Sequence, residues 1–500
     1  MEKELLLQKF EEFELKSSTY RLALSALSFD RETIAPKKGA SYRNTRIGIL
    51  SGEFFAYTTS PENIQLLVDL DTIKEELPFE IQRNVEYRLK DLEALRYIPK
   101  EKFVENRQTI AEAGTVWEKA RKENNYDLFK PYLIKLIEQA KELASYRPTD
   151  LHPYDLALDD YETGMTMEKY DQFFSLVKEK LVSLIHKVNA AKKVDDSFLH
   201  LNYDVEKQKE FMKQMMTYID YDLDAGYLSE SAHPFSMGFS VNDNRITTRY
   251  LDNMISSSIL SIIHELGHAT YNGQVNPKFD GTFLANNMTS GMHESQSRLF
   301  ENYLGRSKEF WIPNYDKLQS LFPEQLGTIS IDQFVDAINA SYPSYIRTEA
   351  DELTYPLHVL IRYEIEKGLF NNELDLEKLD QIWDDKYEQY LGIRPRNHAE
   401  GILQDVHWSS SYFGYFPTYA LGSAYSAQWM KAMRKDINIE EVLKNNQFSV
   451  IKEWLKENIH QYGGLYTPEE MLIKVTGEPF NPQYYIDYLM EKYTKLYDLD

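Results

Sequence analysis

Two histidines stand four residues apart in the segment 262–269, with a glutamate directly after the first of them. On a helix, positions i and i+4 lie on one face about one turn apart, so His264 and His268 could bind one zinc ion. Glu265 lies about 100° further round, where its carboxylate could hold a metal-activated water as a general base. A chain of this composition gives only about 0.04 accidental HExxH matches. The spacing therefore predicts a catalytic zinc site on a helix.

The motif lies in a segment with the apolar period of a helix, from residue 251 to residue 271. The apolar side chains form one stripe, made of Ile255, Ile259, Ile262, Leu266 and Ala269. The two histidines fall on nearly the opposite face, together with Ser257 and Ser261. We therefore expect the helix to bury one side in the core and to turn its histidines toward a cavity. The alternative is a helix whose histidines only face solvent.

Two histidines and a water leave a tetrahedral zinc ion one protein ligand short. Glu294, 26 residues beyond His268, lies in a second predicted helix and is the candidate for this ligand. A His₂Glu set keeps the fourth position open for water, as in catalytic rather than structural zinc sites. The alternative is that Glu294 forms an ordinary surface ion pair with Arg298 at i+4. Glu301 is the next candidate for the third ligand.

Beyond the zinc motif, five further blocks make a pattern that resembles the M32 family of metallocarboxypeptidases, the thermostable carboxypeptidase 1 type. The blocks are His-Pro-Phe at 233–235, Asp-Asn-Arg-Ile-Thr at 243–247, His-Glu-Ser-Gln at 293–296, Ile-Arg-Thr-Glu-Ala-Asp at 346–351 and Gly-Ile-Leu-Gln-Asp-Val-His-Trp at 401–408. They occur in the family's order, and Leu-Ser-Phe-Asp-Arg-Glu-Thr at 27–33 extends the resemblance to the N-terminal part of the chain. The resemblance implies a zinc peptidase that acts as a homodimer.

The tetrahedral intermediate of peptide hydrolysis needs hydrogen-bond donors other than the metal. The segment 407–415 offers an imidazole and two phenols. Because a histidine and tyrosines in this order stabilise the oxyanion in distantly similar zinc peptidases, we assign His407 and Tyr415 to this role, with Tyr412 assisting in substrate binding. The alternative is that His407 and Tyr412 are buried, hydrogen-bonded structural groups.

An exopeptidase must also recognise the free carboxylate of its substrate. Arg347 is the leading candidate, because a guanidinium offers planar bidentate geometry and a permanent charge. Its alternative role is an ion pair with Glu349 or Asp351, and Arg245 and Arg249 compete with it for the carboxylate. Three more residues of the family blocks have roles that the sequence leaves open. His233 and Asp243 either support other site residues or shape the substrate site, and Asp405 either orients a histidine or caps the N-terminus of a helix.

Long helical periods dominate the rest of the chain, so we predict a mainly α metallopeptidase fold with a deep groove. The predicted helices span residues 4–29, 84–95, 100–124, 126–145, 166–192, 204–218, 353–367, 440–459 and 484–497. A small β-sheet beside the HExxH helix is predicted from alternating segments at 236–241 and 245–250, with another strand at 280–290. No linker or repeat divides the chain, and residues 1–500 are expected to form one catalytic domain, either undivided or divided into two subdomains by the groove.

The composition of the chain excludes several classes of binding partner and of catalytic site. The net charge of −23 argues against nucleic acid, which needs clustered Lys and Arg. The first residues lack a signal-peptide profile and no apolar run approaches the ~18 residues of a membrane span, so a cytoplasmic protein is expected. The absence of cysteine excludes disulfides, thiolate zinc sites and cysteine nucleophiles. No GxSxG elbow supports a serine hydrolase.

The leading hypothesis is a zinc-dependent carboxypeptidase of broad specificity that releases single residues from the free C-terminus of peptides. A zinc endo-oligopeptidase would share the ligands and the base but would need no carboxylate clamp. A catalytically silent helical binding protein is a third possibility, although a purely structural zinc is more often closed by four protein ligands. Co²⁺ suits the same His₂Glu site as Zn²⁺.

Overall fold

A computed structural model describes residues 2–499, except for the side chain of residue 2. The chain is mainly helical, as predicted. Its helices are α1 (Glu2–Thr33), α2 (Ala40–Thr58), α3 (Pro61–Thr72), α4 (Phe79–Arg96), α5 (Lys100–Glu123), α6 (Tyr126–Ser145), α7 (Pro153–Tyr161), α8 (Met167–Ala190), α9 (Val205–Tyr218), α10 (Ile255–Gln274), α11 (Ser290–Arg298), α12 (Lys308–Trp311), α13 (Tyr315–Leu321), α14 (Pro323–Leu326), α15 (Ile331–Ile338), α16 (Tyr355–Phe370), α17 (Leu379–Leu391), α18 (Pro417–Asp436), α19 (Ile439–Lys444), α20 (Phe448–Asn458), α21 (Pro468–Thr476) and α22 (Gln483–Leu496).

Three short strands form the predicted small sheet beside the HExxH helix. They are β1 (Gly226–Glu230), β2 (Ser236–Ser240) and β3 (Asp243–Thr248), in the order β1-β3-β2. β3 pairs in parallel with β1 and antiparallel with β2, with an irregular register near the turn between β2 and β3. Both β2 and β3 pack on α10, so the sheet supports one flank of the helix that carries the HExxH motif.

The apolar stripe of α10 explains how this helix is held. Its five predicted core residues are all fully or almost fully buried, and all belong to the largest hydrophobic core of the protein. α10 also packs against α11, and α11 packs in turn against α18. The helix therefore presents its polar face to the region where α11 and α18 meet, as the period of the sequence predicts.

Two local predictions are wrong. Residues 280–290 form no strand: the segment contains a short 3₁₀ turn, Phe283–Ala285, and leads directly into α11. Gly281 interrupts the alternation because its φ is +77°, a left-handed conformation that an extended strand does not allow. The helix predicted over 440–459 is divided into α19 and α20, because Asn446 between them adopts φ +57°. None of the helices between residues 2 and 499 is both long and apolar enough to cross a membrane.

Candidate metal centre

Three of the predicted site residues meet at one point. Glu294 on α11 places its Oε2 3.7 Å from Nε2 of His264 and 3.6 Å from Nε2 of His268 on α10. The three candidate ligand atoms all lie within 4.8 Å of one another, and no other such group occurs among residues 2–499. Two imidazole nitrogens and one carboxylate oxygen are the donor set of catalytic zinc, so the residues present match a metal ion of this kind.

Two glycines allow the helices to bring these ligands together. A Cβ on Gly267 would lie 2.5 Å from the carbonyl oxygen of Gln296, so this position lets α10 approach α11 closely. A Cβ on Gly422 of α18 would lie 2.6 Å from Cγ of Glu294. The Glu294 side chain is therefore held against α18 on one side and faces the two histidines on the other.

The two roles considered for Glu294 use different oxygens of its carboxylate. Oε1 accepts a hydrogen bond of 2.6 Å from Nε of Arg298, while Oε2 accepts one of 3.1 Å from Ser297 and faces the histidines. Burial alone would raise the pKa of Glu294, but Arg298 and His264 lower it well below its usual range. The ion pair thus keeps the carboxylate ionised, as a metal ligand must be, and does not compete with the ligand role.

Glu301 orients His264 from behind. Nδ1 of His264 donates to Oε2 of Glu301 over 2.9 Å, which leaves Nε2 with the lone pair that a metal needs. Glu301 lies on the π-helical turn Leu299–Leu304 that follows α11, where Arg298 and Arg306 donate to its carboxylate over 3.1 and 3.3 Å. The structure therefore places Glu301, the next candidate for the third ligand, beside the other ring nitrogen of His264.

His268 has a neutral partner instead. Its Nδ1 lies 2.6 Å from Nδ1 of His293, whose Nε2 lies 3.0 Å from Oδ1 of Asn272. Since the amide oxygen of Asn272 only accepts, His293 donates through Nε2 and accepts from His268 through Nδ1. Burial, together with the neighbouring His268, lowers the pKa of His293 well below its usual range, which keeps it neutral. Nε2 of His268 is again left free for a metal.

We predict that Glu301→Gln weakens metal binding about 10- to 100-fold, because outer partners of ligating histidines contribute about this much to affinity. The amide still accepts a hydrogen bond, but it lacks the charge that strengthens the donor capacity of His264. Competition with a chromophoric chelator measures the dissociation constant. Glu324→Gln, an exposed carboxylate on α14, is the matched control and should change nothing. An unchanged metal affinity in Glu301→Gln would remove this role from Glu301.

A cavity of about 490 Å³, the metal cavity, is lined by two of the candidate ligands, His264 and Glu294, and by Glu265. Only 5% of the Glu265 side chain is exposed, and its Oε2 has no hydrogen-bond partner among residues 2–499. Burial raises the pKa of Glu265, with Glu294 adding to the effect and the two histidines opposing it. A buried carboxylate with a free acceptor beside a metal site has the chemistry of a general base.

The same cavity is lined by Arg347, which lies on the 3₁₀ turn Arg347–Glu349. Nε and Nη2 of this arginine donate to Oδ1 of Asp405 over 3.1 and 2.8 Å, and Nη1 donates to Tyr355. Its ion-pair partner is therefore Asp405, and not Glu349 or Asp351, the partners considered for its alternative role. Arg362 binds the other oxygen of Asp405 over 2.7 Å. Two guanidinium groups thus share one carboxylate, so the cluster of Arg347, Arg362 and Asp405 carries one net positive charge.

His407 and Tyr415 both contact Tyr419, a tyrosine that was not predicted as a site residue from the sequence. Tyr419 lines the cavity, and its hydroxyl lies 3.3 Å from Nε2 of His407. The rings of Tyr415 and Tyr419 lie 5.3 Å apart, and burial together with the charge of Glu294 raises the pKa of Tyr415. Burial lowers the pKa of His407 to about 4, so it is neutral at pH 7. The only sequence signal for Tyr419 is its position four residues after Tyr415.

The remaining predicted residues lie away from this cavity. Tyr412 is half-exposed and lines a second cavity of about 570 Å³, with its ring 6.2 Å from the ring of Tyr415. Arg245 is bound by both oxygens of Asp243 over 2.8 and 2.7 Å and lines another cavity. His233 is exposed between β1 and β2, next to Pro234 on the wall of the metal cavity. Of the three arginines considered for the substrate carboxylate, Arg245, Arg249 and Arg347, only Arg347 lines the same cavity as Glu265.

Comparison with known proteins agrees with this geometry. Residues 9–493 match the family model described as Carboxypeptidase Taq (M32) metallopeptidase. The chain is 42% identical to Carboxypeptidase 1 of Bacillus subtilis (strain 168) over 482 residues, which cover 96% of each chain. It is 35% identical to Thermostable carboxypeptidase 1 of Thermus thermophilus over 99% of this chain and 100% of the relative. The crystal structure of the M32 carboxypeptidase from Deinococcus radiodurans R1 is similar with a TM-score of 0.96 and 33% identity, over 99% and 100% of the two chains.

Proposed function

Since this chain belongs to the M32 family of metallopeptidases and is a peptide hydrolase, we propose that it is a zinc-dependent carboxypeptidase of broad specificity. It would release single residues from the free C-terminus of peptides. The observation that carries this proposal is the shared cavity, which Glu265, two of the candidate ligands, His264 and Glu294, and Arg347 line together. Arg347 shares the carboxylate of Asp405 with the buried Arg362. The excess positive charge is suited to a substrate carboxylate.

The metal would be held by His264, His268 and Glu294. When bound there, zinc lowers the pKa of its water toward ~7 and polarises the scissile carbonyl. Co²⁺ is the alternative metal for the same donors. Glu265 would take a proton from the attacking water at its free Oε2 and deliver it to the leaving nitrogen.

The developing oxyanion would be stabilised by donors from the segment that follows Asp405. We assign this role to Tyr415 and His407, with the hydroxyl of Tyr419 linking His407 to the cavity. Neutral His407 is able to donate one hydrogen bond without the cost of carrying a charge. Tyr412, on the second cavity, would assist in substrate binding.

Two further proposals concern the whole chain. Residues 1–500 would act as one catalytic domain, and the protein would function as a homodimer, as its resemblance to the family implies.

His233 beside Pro234 would shape the rim of the substrate site. Arg245 is less suited than Arg347 to bind substrate, since it lines another cavity, away from Glu265.

The function is tested with two peptides of one sequence, one with a free C-terminus and one amidated. The zinc-loaded protein should shorten the free peptide one residue at a time and leave the amidated peptide nearly intact. A chelator should abolish cleavage of the free peptide. Mass spectrometry of the digest distinguishes the products. Equal internal cleavage of both peptides would instead identify a zinc endo-oligopeptidase.

We predict that Arg347→Ala lowers kcat/KM for the free peptide. The corresponding activation free energy should rise by about 1.5–3 kcal/mol, the contribution of a charge-assisted bidentate contact. Arg362 stays paired with Asp405 in this variant, so no buried charge is left uncompensated. The slow hydrolysis of the amidated peptide should respond little, which separates a lost contact from general damage. Arg245→Ala is the matched control and should leave the free-peptide rate unchanged. If only Arg245→Ala shows the selective loss, the carboxylate is bound by that arginine.

A further inference from the structure

The segment from His407 to Tyr415, which carries the two assigned oxyanion donors, is fastened by a single buried carboxylate on α16. We infer that Glu366 is a positioning residue that holds His407 and Tyr415 in their catalytic orientation. This inference rests on the proposed function, because it assigns Glu366 a role in that reaction. Glu366 itself is fully buried, and it acts through the segment rather than on the substrate.

Glu366 binds both ends of this segment. Its Oε1 accepts from the indole Nε1 of Trp408 over 2.7 Å, and Trp408 directly follows His407. Its Oε2 accepts from the backbone N–H of Gly414 over 2.8 Å, and Gly414 directly precedes Tyr415. One side chain therefore holds the indole of the residue after His407 and the backbone of the residue before Tyr415, although the two donors are eight residues apart in sequence.

The backbone between these two points depends on that support. Gly414 has φ +87°, and a Cβ at this residue would lie 2.5 Å from the carbonyl oxygen of Ala157 on α7. Ser411 also adopts a left-handed conformation, with φ +61°, which is unfavourable for a residue other than glycine. A segment with such conformations persists only where its surroundings determine them, and the two bonds to Glu366 are part of those surroundings.

The chemistry of the partners requires a carboxylate. Trp408 and the backbone of Gly414 can only donate, and the third partner, the hydroxyl of Tyr154, donates to Oε2 over 2.9 Å. An amide in place of the carboxylate would set its own N–H group against a donor at one end of the segment. Burial raises the pKa of Glu366 to about 7, although its three donors oppose this shift. An apolar anchor would avoid this cost but could not hold two donors.

The test compares Glu366→Gln in the wild type and in a Tyr415→Phe background, with zinc-loaded protein and a free-acid peptide. Loss of one oxyanion donor costs about 10²- to 10³-fold in kcat. If Glu366 acts by positioning, Glu366→Gln should lower kcat about 10- to 100-fold in the wild type and by a clearly smaller factor when the tyrosine hydroxyl is already missing, because only His407 is then left to position. KM and zinc content should stay near the wild-type values in both backgrounds.

Tyr154→Phe is the matched control, because it removes the third hydrogen bond to Glu366 and leaves both bonds to the segment. Its kcat should stay within about 2-fold of the wild type. If Glu366→Gln does not fold, Trp408→Phe in the same two backgrounds replaces it and should show the same non-additivity at smaller amplitude.

Equal loss of kcat in both backgrounds would overturn the inference, because a merely structural carboxylate lowers all rates alike. A Tyr415→Phe variant with wild-type kcat would overturn it as well, together with the assignment of Tyr415. The cycle is scored on total peptide-bond hydrolysis, so it remains decisive even if the digest shows internal cleavage, which would contradict only the carboxypeptidase proposal.

Discussion

Glu265→Gln should bind zinc as the wild type does and lose nearly all turnover, by a factor of about 10²–10⁴ or more. The variant keeps His264, His268 and Glu294, so the donor set is unchanged. It loses the one carboxylate oxygen on the metal cavity that, within residues 2–499, is buried and has no hydrogen-bond partner. Zinc content by elemental analysis and kcat on a free-acid peptide measure the two effects separately.

Two comparisons make this result specific to a lost base. Excess zinc should restore activity to Glu301→Gln, whose defect is in metal affinity, and should not restore it to Glu265→Gln. At pH 7 the metal-free Glu265→Gln protein should also unfold at or above the wild-type temperature, because burial raises the pKa of Glu265 and its ionised form therefore costs folding free energy. Near-wild-type turnover in a zinc-replete variant would overturn the assignment of Glu265.

The parts of the site that sequence could predict depend on local geometry. His264 and His268 share a helix, so their spacing alone places both imidazoles on one face, and the apolar stripe of α10 determines which way that face points. Long helices such as α6 can be predicted for the same reason, because the helical period of their apolar residues is visible within one continuous segment of the sequence. Glu294 required more, because its approach to the histidines depends on Gly267 and Gly422, which no spacing rule connects to it.

The parts that sequence could not predict depend on packing between distant segments. Asp405 is 58 residues from Arg347, and an ion pair with Glu349 or Asp351 looked simpler because those residues are close in the chain. The role of Tyr419 depends on how α18 enters the cavity wall. β1 escaped prediction because the segment Gly226–Glu230 has too little alternation, and it is a strand because β3 pairs with it. Tertiary contacts decide such elements.

Glu294→Gln should lose metal binding by a factor larger than the 10- to 100-fold expected for an outer partner, with activity falling in parallel. The amide oxygen of the new side chain still accepts from Arg298, so the buried guanidinium stays hydrogen-bonded and the fold is preserved. Its amide nitrogen, however, carries no lone pair for a metal. Glutamine thus removes the ligand role and keeps most of the packing, which Glu294→Ala would not do.

Arg298→Met provides the reciprocal variant, because it removes the ion pair and keeps the carboxylate that faces the two histidines. If Glu294 is the third ligand, Arg298→Met should retain zinc with an affinity reduced by the amount typical of an outer partner, while Glu294→Gln loses far more. If the ion pair is what matters, Arg298→Met should be destabilised more than Glu294→Gln, which keeps the hydrogen bond from Arg298, and both should bind zinc equally well. Isothermal titration of zinc and thermal unfolding of each protein measure the two quantities. Stoichiometric zinc binding of unchanged affinity in Glu294→Gln would place the third ligand elsewhere, and Glu301 would be a poor substitute because it already holds Nδ1 of His264.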